Sequence, residues 1–156
     1  MEALKPVLLV EDNELDIELT LEAFKANRLA NAVFVLRDGE EALEYLFRRG
    51  RFAGRPEGNP ILVLLDLKMP KVDGLEVVRR VKGDPKLKTI PVVMLTTSRE
   101  EQDLLASYNL GVNAYVIKPV NFPEFVSAIR MLGTFWALLN QPPPGSVPRE
   151  PLSGEG

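Results

Sequence analysis

The sequence predicts an α/β fold in which a parallel sheet is covered by helices on both faces. Short runs rich in valine, leucine and isoleucine recur along the chain without alternation, which is typical of strands buried on both faces. Segments with apolar residues at helical spacing separate them. The five runs are 7–10, 33–36, 61–65, 92–95 and 114–117. A strand followed by a helix, repeated five times, indicates right-handed crossovers and a doubly wound five-stranded sheet with five helices.

Each predicted helix begins beside a residue that can cap it. Asn13 precedes a helix whose apolar residues Ile17, Leu21 and Phe24 share one face. Later segments place an aspartate, serine or asparagine three residues before a glutamate, the pattern of a capping box. They are 38–41, 73–76, 98–101 and 121–124. We expect Gly111 to mark the end of the fourth helix.

Two segments depart from the alternation of strand and helix. Residues 48–60 are rich in glycine, proline and arginine, and we interpret them as a solvated loop, with an arginine contact surface as the alternative. Residues 141–156 carry five of the 13 prolines and almost no apolar side chain. This composition predicts a disordered tail. The organisation we expect is therefore one domain over residues 1–140, followed by a tail over 141–156.

Composition excludes several kinds of chemistry. The chain contains no cysteine and no histidine, which excludes disulfides, thiolate nucleophiles and serine–histidine triads. The net charge is −3 and no basic stripe is visible, so we expect no nucleic-acid partner. No apolar run approaches the length of a membrane span and no signal peptide is apparent, so we expect a cytoplasmic protein without membrane contact.

Polar residues follow four of the apolar runs directly. Glu11 and Asp12 follow the first run, Asp66 the third, Thr96 the fourth and Lys118 the fifth. The carboxyl ends of parallel strands meet at one edge of a sheet, so these side chains should converge there. Neighbouring carboxylates repel one another unless a cation lies among them, and oxygen ligands suit Mg²⁺. An acidic entry to the first helix is the structural alternative for Glu11 and Asp12.

The converging residues predict phosphoryl transfer. Asp66 is the expected nucleophile, because a carboxylate can attack phosphorus and form an aspartyl phosphate. Positive charge from Mg²⁺ and Lys118 would neutralise the phosphoryl oxygens, and Thr96 would hydrogen-bond one of them. We expect Asp12 and Asp66 to bind the metal directly and Glu11 to act through water.

A family resemblance rests on five segments in a fixed order. They are 10–13 (Val-Glu-Asp-Asn), 65–70 (Leu-Asp-Leu-Lys-Met-Pro), 73–74 (Asp-Gly), 95–97 (Leu-Thr-Thr) and 118–119 (Lys-Pro). This pattern resembles the receiver domain of two-component response regulators over about residues 5–139. The resemblance implies a flavodoxin-like fold with strand order 2-1-3-4-5. It also implies a metal ligand at the backbone carbonyl of Lys68, a Lys68 side chain that tunes dephosphorylation, and an aromatic switch at Tyr115 that follows Thr96.

The resemblance implies a stand-alone regulator that takes a phosphoryl group from a sensor histidine kinase. It would signal through a protein partner or act as a phosphate relay or sink. The long connection before the third strand and the tail most resemble regulators paired with phytochrome-type kinases. One alternative is a haloacid-dehalogenase-type phosphatase, but its second aspartate would fall where Lys68 stands. The other alternative is a binding module that has lost phosphorylation.

The last predicted helix is apolar on two sides. Over residues 121–139 one face suits packing against the sheet, and a second stripe lies on roughly the opposite side. One domain can cover only one of these sides, which predicts a homodimer about a two-fold axis. A tail folded over the stripe is the alternative. The predicted interface residues are Ala128, Met131, Phe135 and Leu138.

Overall fold

A computed structural model describes residues 4–130, which form five parallel strands in the order β2-β1-β3-β4-β5. The strands are β1 (Val7–Val10), β2 (Val33–Leu36), β3 (Leu62–Asp66), β4 (Val92–Thr96) and β5 (Ala114–Ile117). The helices are α1 (Glu14–Ala26), α2 (Gly39–Phe47), α3 (Gly74–Lys82), α4 (Arg99–Ser107) and α5 (Phe122–Arg130). This is the flavodoxin-like order, and it confirms the predicted fold class.

The strand register aligns the carboxyl ends of the sheet. Val10, the last residue of β1, lies between Leu36 of β2 and Leu65 of β3. One register position further on, Asp66 pairs with Leu95 of β4. Thr96, the last residue of β4, pairs with Ile117 of β5. The carboxyl ends of all five strands therefore reach the same edge, so the polar residues at these ends lie close together.

Two apolar layers cover the sheet, one on each face. Helices α2, α3 and α4 pack on one face, and α1 and α5 pack on the other. Successive residues of β1 alternate between the layers, with Leu8 and Val10 in the first and Val7 and Leu9 in the second. Each such side chain contributes about 1.5–3 kcal/mol when it is fully buried. This two-sided burial holds the strand ends in fixed positions.

The predicted helix caps are present. The side chains of Asn13, Asp38, Asp73, Ser98 and Asn121 each accept a hydrogen bond from the backbone N–H three residues later. The end of α4 differs from the expectation, because the helix stops at Ser107, four residues before Gly111. Asn109 takes the left-handed conformation there with φ of 51°, so asparagine does what glycine was expected to do.

Residues 48–60 are mostly exposed, as the solvated-loop interpretation predicts, and two arginines connect the segment to the end of α2. Arg55 donates to the carbonyl of Tyr45 at 2.6 Å, and its guanidinium lies 4.2 Å from the centre of the Tyr45 ring. Arg48 donates to the carbonyl of Arg55 at 3.0 and 3.1 Å and lies 3.6 Å from Glu57. The Tyr45 carbonyl in the last turn of α2 thereby gains a side-chain donor in addition to the backbone N–H of Arg48.

Helix α5 continues the α1 face of the sheet. Phe125 is fully buried, and Phe122 and Val126 pack beside it. Ala128, which the sequence placed on the outer stripe, is partly buried against this same layer. Met131, Phe135, Leu138 and the predicted tail lie outside the described residues. Within residues 4–130, none of the helices has the length and apolar character needed to cross a membrane.

Candidate functional site

The predicted site residues meet at the carboxyl edge of the sheet. Asp66 and Thr96 end β3 and β4, Glu11 follows β1, and Lys118 follows β5. Glu11 is 1% exposed, Asp66 7% and Thr96 0%, whereas Asp12 is exposed. Buried polar groups of this kind are costly unless they have partners. The site therefore depends on the contacts that these side chains make with one another.

Lys118 connects the carboxylates. Its Nζ lies 3.1 Å from Glu11 Oε1, 3.0 Å from Asp16 Oδ2 and 3.2 Å from Asp66 Oδ1. Burial alone would lower the pKa of Lys118, but the hydrogen bond to Asp16 and the charges of Asp66 and Glu11 outweigh it and raise the pKa above its ordinary value. Lys118 is therefore a fixed positive charge directly beside Asp66.

The surroundings of Glu11 disfavour the ionised form of its carboxylate. Burial, and next the negative charge of Asp66, raise the pKa of Glu11 from 4.5 to about 7. The backbone N–H of Asn13, 3.2 Å from Glu11 Oε2, and the charge of Lys118 act in the opposite direction but do not prevent the rise. The single ammonium thus leaves negative charge in the cluster uncompensated.

The acidic cluster fits a divalent cation. One carboxylate oxygen each from Glu11, Asp12 and Asp66 lies within 4.8 Å of the others. Oxygen ligands on opposite sides of a Mg²⁺ ion lie about 4 Å apart, so small side-chain movements would close the set around an ion. A cation there would also offset the repulsion that raises the pKa of Glu11.

The hydroxyl of Thr96 has no hydrogen-bond partner within the described residues. Its Oγ1 is fully buried and neither accepts nor donates a hydrogen bond there. Leaving such a group unsatisfied costs about 1–3 kcal/mol. Because Thr96 ends the strand next to β3, its hydroxyl belongs to the same edge as Asp66. An oxygen-rich ligand on Asp66 would supply the missing partner.

The segment after Asp66 is tightly packed. Gly74 donates to the carbonyl of Leu67 at 2.8 Å, and a Cβ on Gly74 would lie 2.4 Å from the Asp66 carbonyl oxygen. The glycine is therefore required by this close approach. Lys68 lies on the same segment with an exposed side chain. This packing fixes the backbone that carries Asp66 and leaves Lys68 facing solvent.

Tyr115 lies on the same face of the sheet as Thr96. It pairs with Met94 of β4, and residues 94 and 96 of a strand point to the same side. Its ring is partly buried against the α2–α4 layer, and this burial raises the pKa of its phenol. The two residues are thus diagonal neighbours, as a coupled pair would require.

Asp16 is a site residue that the sequence reasoning missed. It follows the Asn13 cap by three residues and accepts a hydrogen bond from Lys118 Nζ at 3.0 Å. At the other four helices a glutamate occupies this position after the cap. An acidic side chain in the first turn of the helix that begins at the site was the available signal.

The chain belongs to the response-regulator receiver family, because the family model of the response regulator receiver domain matches residues 7–130. Proteins of this family signal through phosphorylation and are not enzymes in the ordinary sense. The phosphatase alternative finds no support in the comparisons.

Particular relatives include several phytochrome response regulators. The response regulator Rcp1 of Synechocystis sp. (strain ATCC 27184 / PCC 6803 / Kazusa) is 42% identical over 132 residues, 85% of this chain and 88% of the relative. The bacteriophytochrome response regulator AtBRR has a structure with a TM-score of 0.85 and 62% identity, and the match covers 90% of this chain and 100% of that one.

Two further relatives have been solved in a metal-bound and in a phosphorylated form. The Mn²⁺-bound form of Rcp1 has a TM-score of 0.67 and 39% identity over 93% of this chain and 99% of that one. The phosphorylated cyanobacterial phytochrome response regulator RcpA has a TM-score of 0.68 and 43% identity over 86% of this chain and 94% of that one.

Proposed function

We propose that Asp66 accepts a phosphoryl group from a phosphohistidine of a sensor histidine kinase. In this step an Asp66 carboxylate oxygen forms a bond to phosphorus as the bond from phosphorus to the histidine nitrogen breaks. Lys118, 3.2 Å from Asp66, neutralises part of the charge on the transferred group. The proposal is carried by one observation: the buried nucleophile, the fixed ammonium and the unpartnered Thr96 hydroxyl lie at one edge of the sheet.

We propose that Mg²⁺ is the cation of the acidic cluster. Asp12 and Asp66 would bind it directly, Glu11 would act through water, and the backbone carbonyl of Lys68 would complete the protein ligands. When bound, the ion would neutralise phosphoryl oxygens and orient them for transfer. The three clustered carboxylates and the Mn²⁺-bound relative support a divalent ion, and oxygen-only ligands favour magnesium. The exposed Lys68 side chain would tune the access of water to the aspartyl phosphate.

We expect Thr96→Ala to separate phosphorylation from signalling. Incubated with acetyl phosphate and Mg²⁺, the wild-type protein should gain one phosphoryl group and change the fluorescence of Tyr115. Thr96→Ala should still accept phosphate, several-fold more slowly, but leave Tyr115 unchanged, because the hydroxyl that would follow the phosphoryl group is gone. Intact mass and tyrosine fluorescence measure the two effects. Trp136, Tyr45 and Tyr108 are replaced by Phe in both proteins, so that Tyr115 is the one remaining tyrosine.

Thr97→Ala is the matched control, since it removes a neighbouring threonine hydroxyl outside the strand. It should behave as the wild type in both measurements. A phosphorylated Thr96→Ala protein with the full change at Tyr115 would contradict the switch.

A phytochrome-type histidine kinase is the partner that we propose. The support is the similarity to the phytochrome response regulators AtBRR and RcpA across almost the whole of those chains. The exchange would take place in the cytoplasm, where kinase domains obtain ATP. Phosphotransfer from purified histidine kinases of the host, compared at equal concentrations, would identify the partner by the fastest transfer.

We propose a homodimer through the last helix. The stripe Met131, Phe135 and Leu138 supports it, because these apolar side chains repeat at helical spacing away from the sheet-facing residues. Ala128 adds little to this stripe, since it is already partly buried within its own chain. The stripe is present whatever the state of Asp66, so dimerisation should not require phosphate.

Phe135→Glu is expected to convert the dimer into a folded monomer. Light scattering of the wild type at micromolar concentration should give about twice the 17.4 kDa chain mass. Leu104→Glu is the control, because Leu104 is 55% exposed on α4, a helix that is not part of the proposed interface, and its replacement should leave the dimer intact. A monomeric Leu104→Glu protein, or a dimeric Phe135→Glu protein, would show that the interface does not involve the last helix as proposed.

A further inference from the structure

The geometry points to Asp16 as the positioning residue for Lys118, an inference that rests on the proposed role of Asp66 as phosphoryl acceptor. Asp16 lies on α1, outside the set of residues that the sequence pattern assigned to the site. Its carboxylate nevertheless makes the shortest of the three contacts to the Lys118 ammonium, at 3.0 Å. We propose that Asp16 holds this ammonium over Asp66 when the other two carboxylates change partners.

The Lys118 ammonium is held by three carboxylates in this structure. It donates hydrogen bonds to Glu11 at 3.1 Å and to Asp16 at 3.0 Å, and it forms an ion pair with Asp66 at 3.2 Å. Phosphoryl transfer to Asp66 and binding of a cation beside Glu11 would change two of these three contacts. Which of them remains decides where the flexible four-carbon side chain places its charge during transfer.

Glu11 and Asp66 are the acceptors that can be lost. Both contribute oxygens to the cluster that fits a cation, and Asp66 itself would carry the phosphoryl group. Asp16 is not a member of that cluster. Asp16 is therefore the anionic partner that Lys118 keeps when a cation binds and when Asp66 is phosphorylated.

The first turn of α1 holds Asp16 in place. Its backbone N–H donates to Asn13 Oδ1 at 2.9 Å, and its carbonyl accepts from Thr20 Oγ1 at 2.8 Å. The next residue, Ile17, is 2% exposed in the α1–α5 layer and anchors the turn to the sheet. A carboxylate on such a rigid turn can fix the position of a mobile ammonium.

The experiment measures phosphorylation kinetics and the chemical reactivity of Lys118 in the same set of full-length variants. Phosphorylation by acetyl phosphate at saturating Mg²⁺ should be about tenfold slower in Asp16→Ala, because Lys118 leaves the reacting position for part of the time. Asp16→Asn keeps an oxygen acceptor of the same shape and should recover part of the rate. Glu18→Gln removes the same charge from an exposed position on α1 and should match the wild type.

Reductive methylation of Lys118, followed by peptide mass spectrometry without donor or Mg²⁺, provides a readout that a general loss of structure would not imitate. Asp16→Ala should raise the methylation rate of Lys118 several-fold. The rate of Lys82, whose ammonium folding protects through hydrogen bonds to the carbonyls of Lys88 and Ile90, should stay unchanged. In a Lys118→Ala background, Asp16→Ala should slow phosphorylation no further, since its effect acts through the ammonium.

The outcomes distinguish the two proposals. A wild-type protein that takes no phosphoryl group would overturn the function proposed for the site. Normal phosphorylation of the wild type, with unchanged kinetics and Lys118 methylation in Asp16→Ala, would overturn the role of Asp16 alone. An equal slowing by Asp16→Ala with and without Lys118 would also overturn it, because the effect would then not pass through the ammonium.

Discussion

Asp66→Asn is expected to abolish phosphoryl incorporation, with a loss of at least about 100-fold relative to the wild type. The amide has the shape of the carboxylate but lacks a nucleophilic oxygen, so the bond to phosphorus cannot form. The fold should survive, because Lys118 keeps Glu11 and Asp16 as partners. Intact mass after incubation with acetyl phosphate and Mg²⁺ measures the loss. Hydroxylamine should release the wild-type label, as it does from acyl phosphates.

Asp73→Asn is the matched control for this substitution. Asp73 lies seven residues further along the chain, at the start of α3, and its side chain caps the helix by accepting from Glu76 N–H at 3.0 Å. Asparagine can make the same cap, so the variant should be labelled as the wild type is. Labelling of Asp66→Asn at the wild-type level would show that Asp66 is not the phosphoryl acceptor and that a different carboxylate is.

The sequence predicted which side chains converge wherever strand ends determine their position. The buried runs before Glu11, Asp66, Thr96 and Lys118 fix both the direction of each strand and the edge at which it ends. In a parallel sheet this is enough to bring the four residues together, even though Glu11 and Lys118 lie 107 positions apart in the chain.

Contacts that depend on side-chain direction could not be predicted in this way. Asp16 reaches Lys118 from α1 although the two residues lie 102 positions apart in the chain, a relation that no local pattern encodes. Arg55 in the same way donates to the carbonyl of Tyr45, ten residues earlier, and lies over its ring, a contact that the composition of residues 48–60 does not encode.

Glu11 predicts a dependence of stability on pH that disappears when a cation binds. Without a cation, the folded protein raises the pKa of Glu11 from its ordinary 4.5 to about 7. Between these pH values the folded state therefore holds a proton that the unfolded chain has released. Stability falls with rising pH wherever the folded state binds more protons, so the metal-free protein should lose stability from pH 4.5 to 7 and remain at the lower level above it.

The expected loss from Glu11 is on the order of 3 kcal/mol, since one pKa unit corresponds to about 1.4 kcal/mol. Urea unfolding in the presence of a chelator, from pH 5 to 8, measures it as the difference between the wild type and Glu11→Gln, which carries no titrating group at this position. Asp66→Asn should reduce the slope as well, because the charge of Asp66 is the second cause of the raised pKa. Saturating Mg²⁺ should abolish the slope in the wild type, because a cation favours the ionised carboxylate and binds only the folded cluster. Equal slopes in the wild type and Glu11→Gln would show that Glu11 is ionised throughout, and a slope that Mg²⁺ leaves unchanged would place the cation away from Glu11.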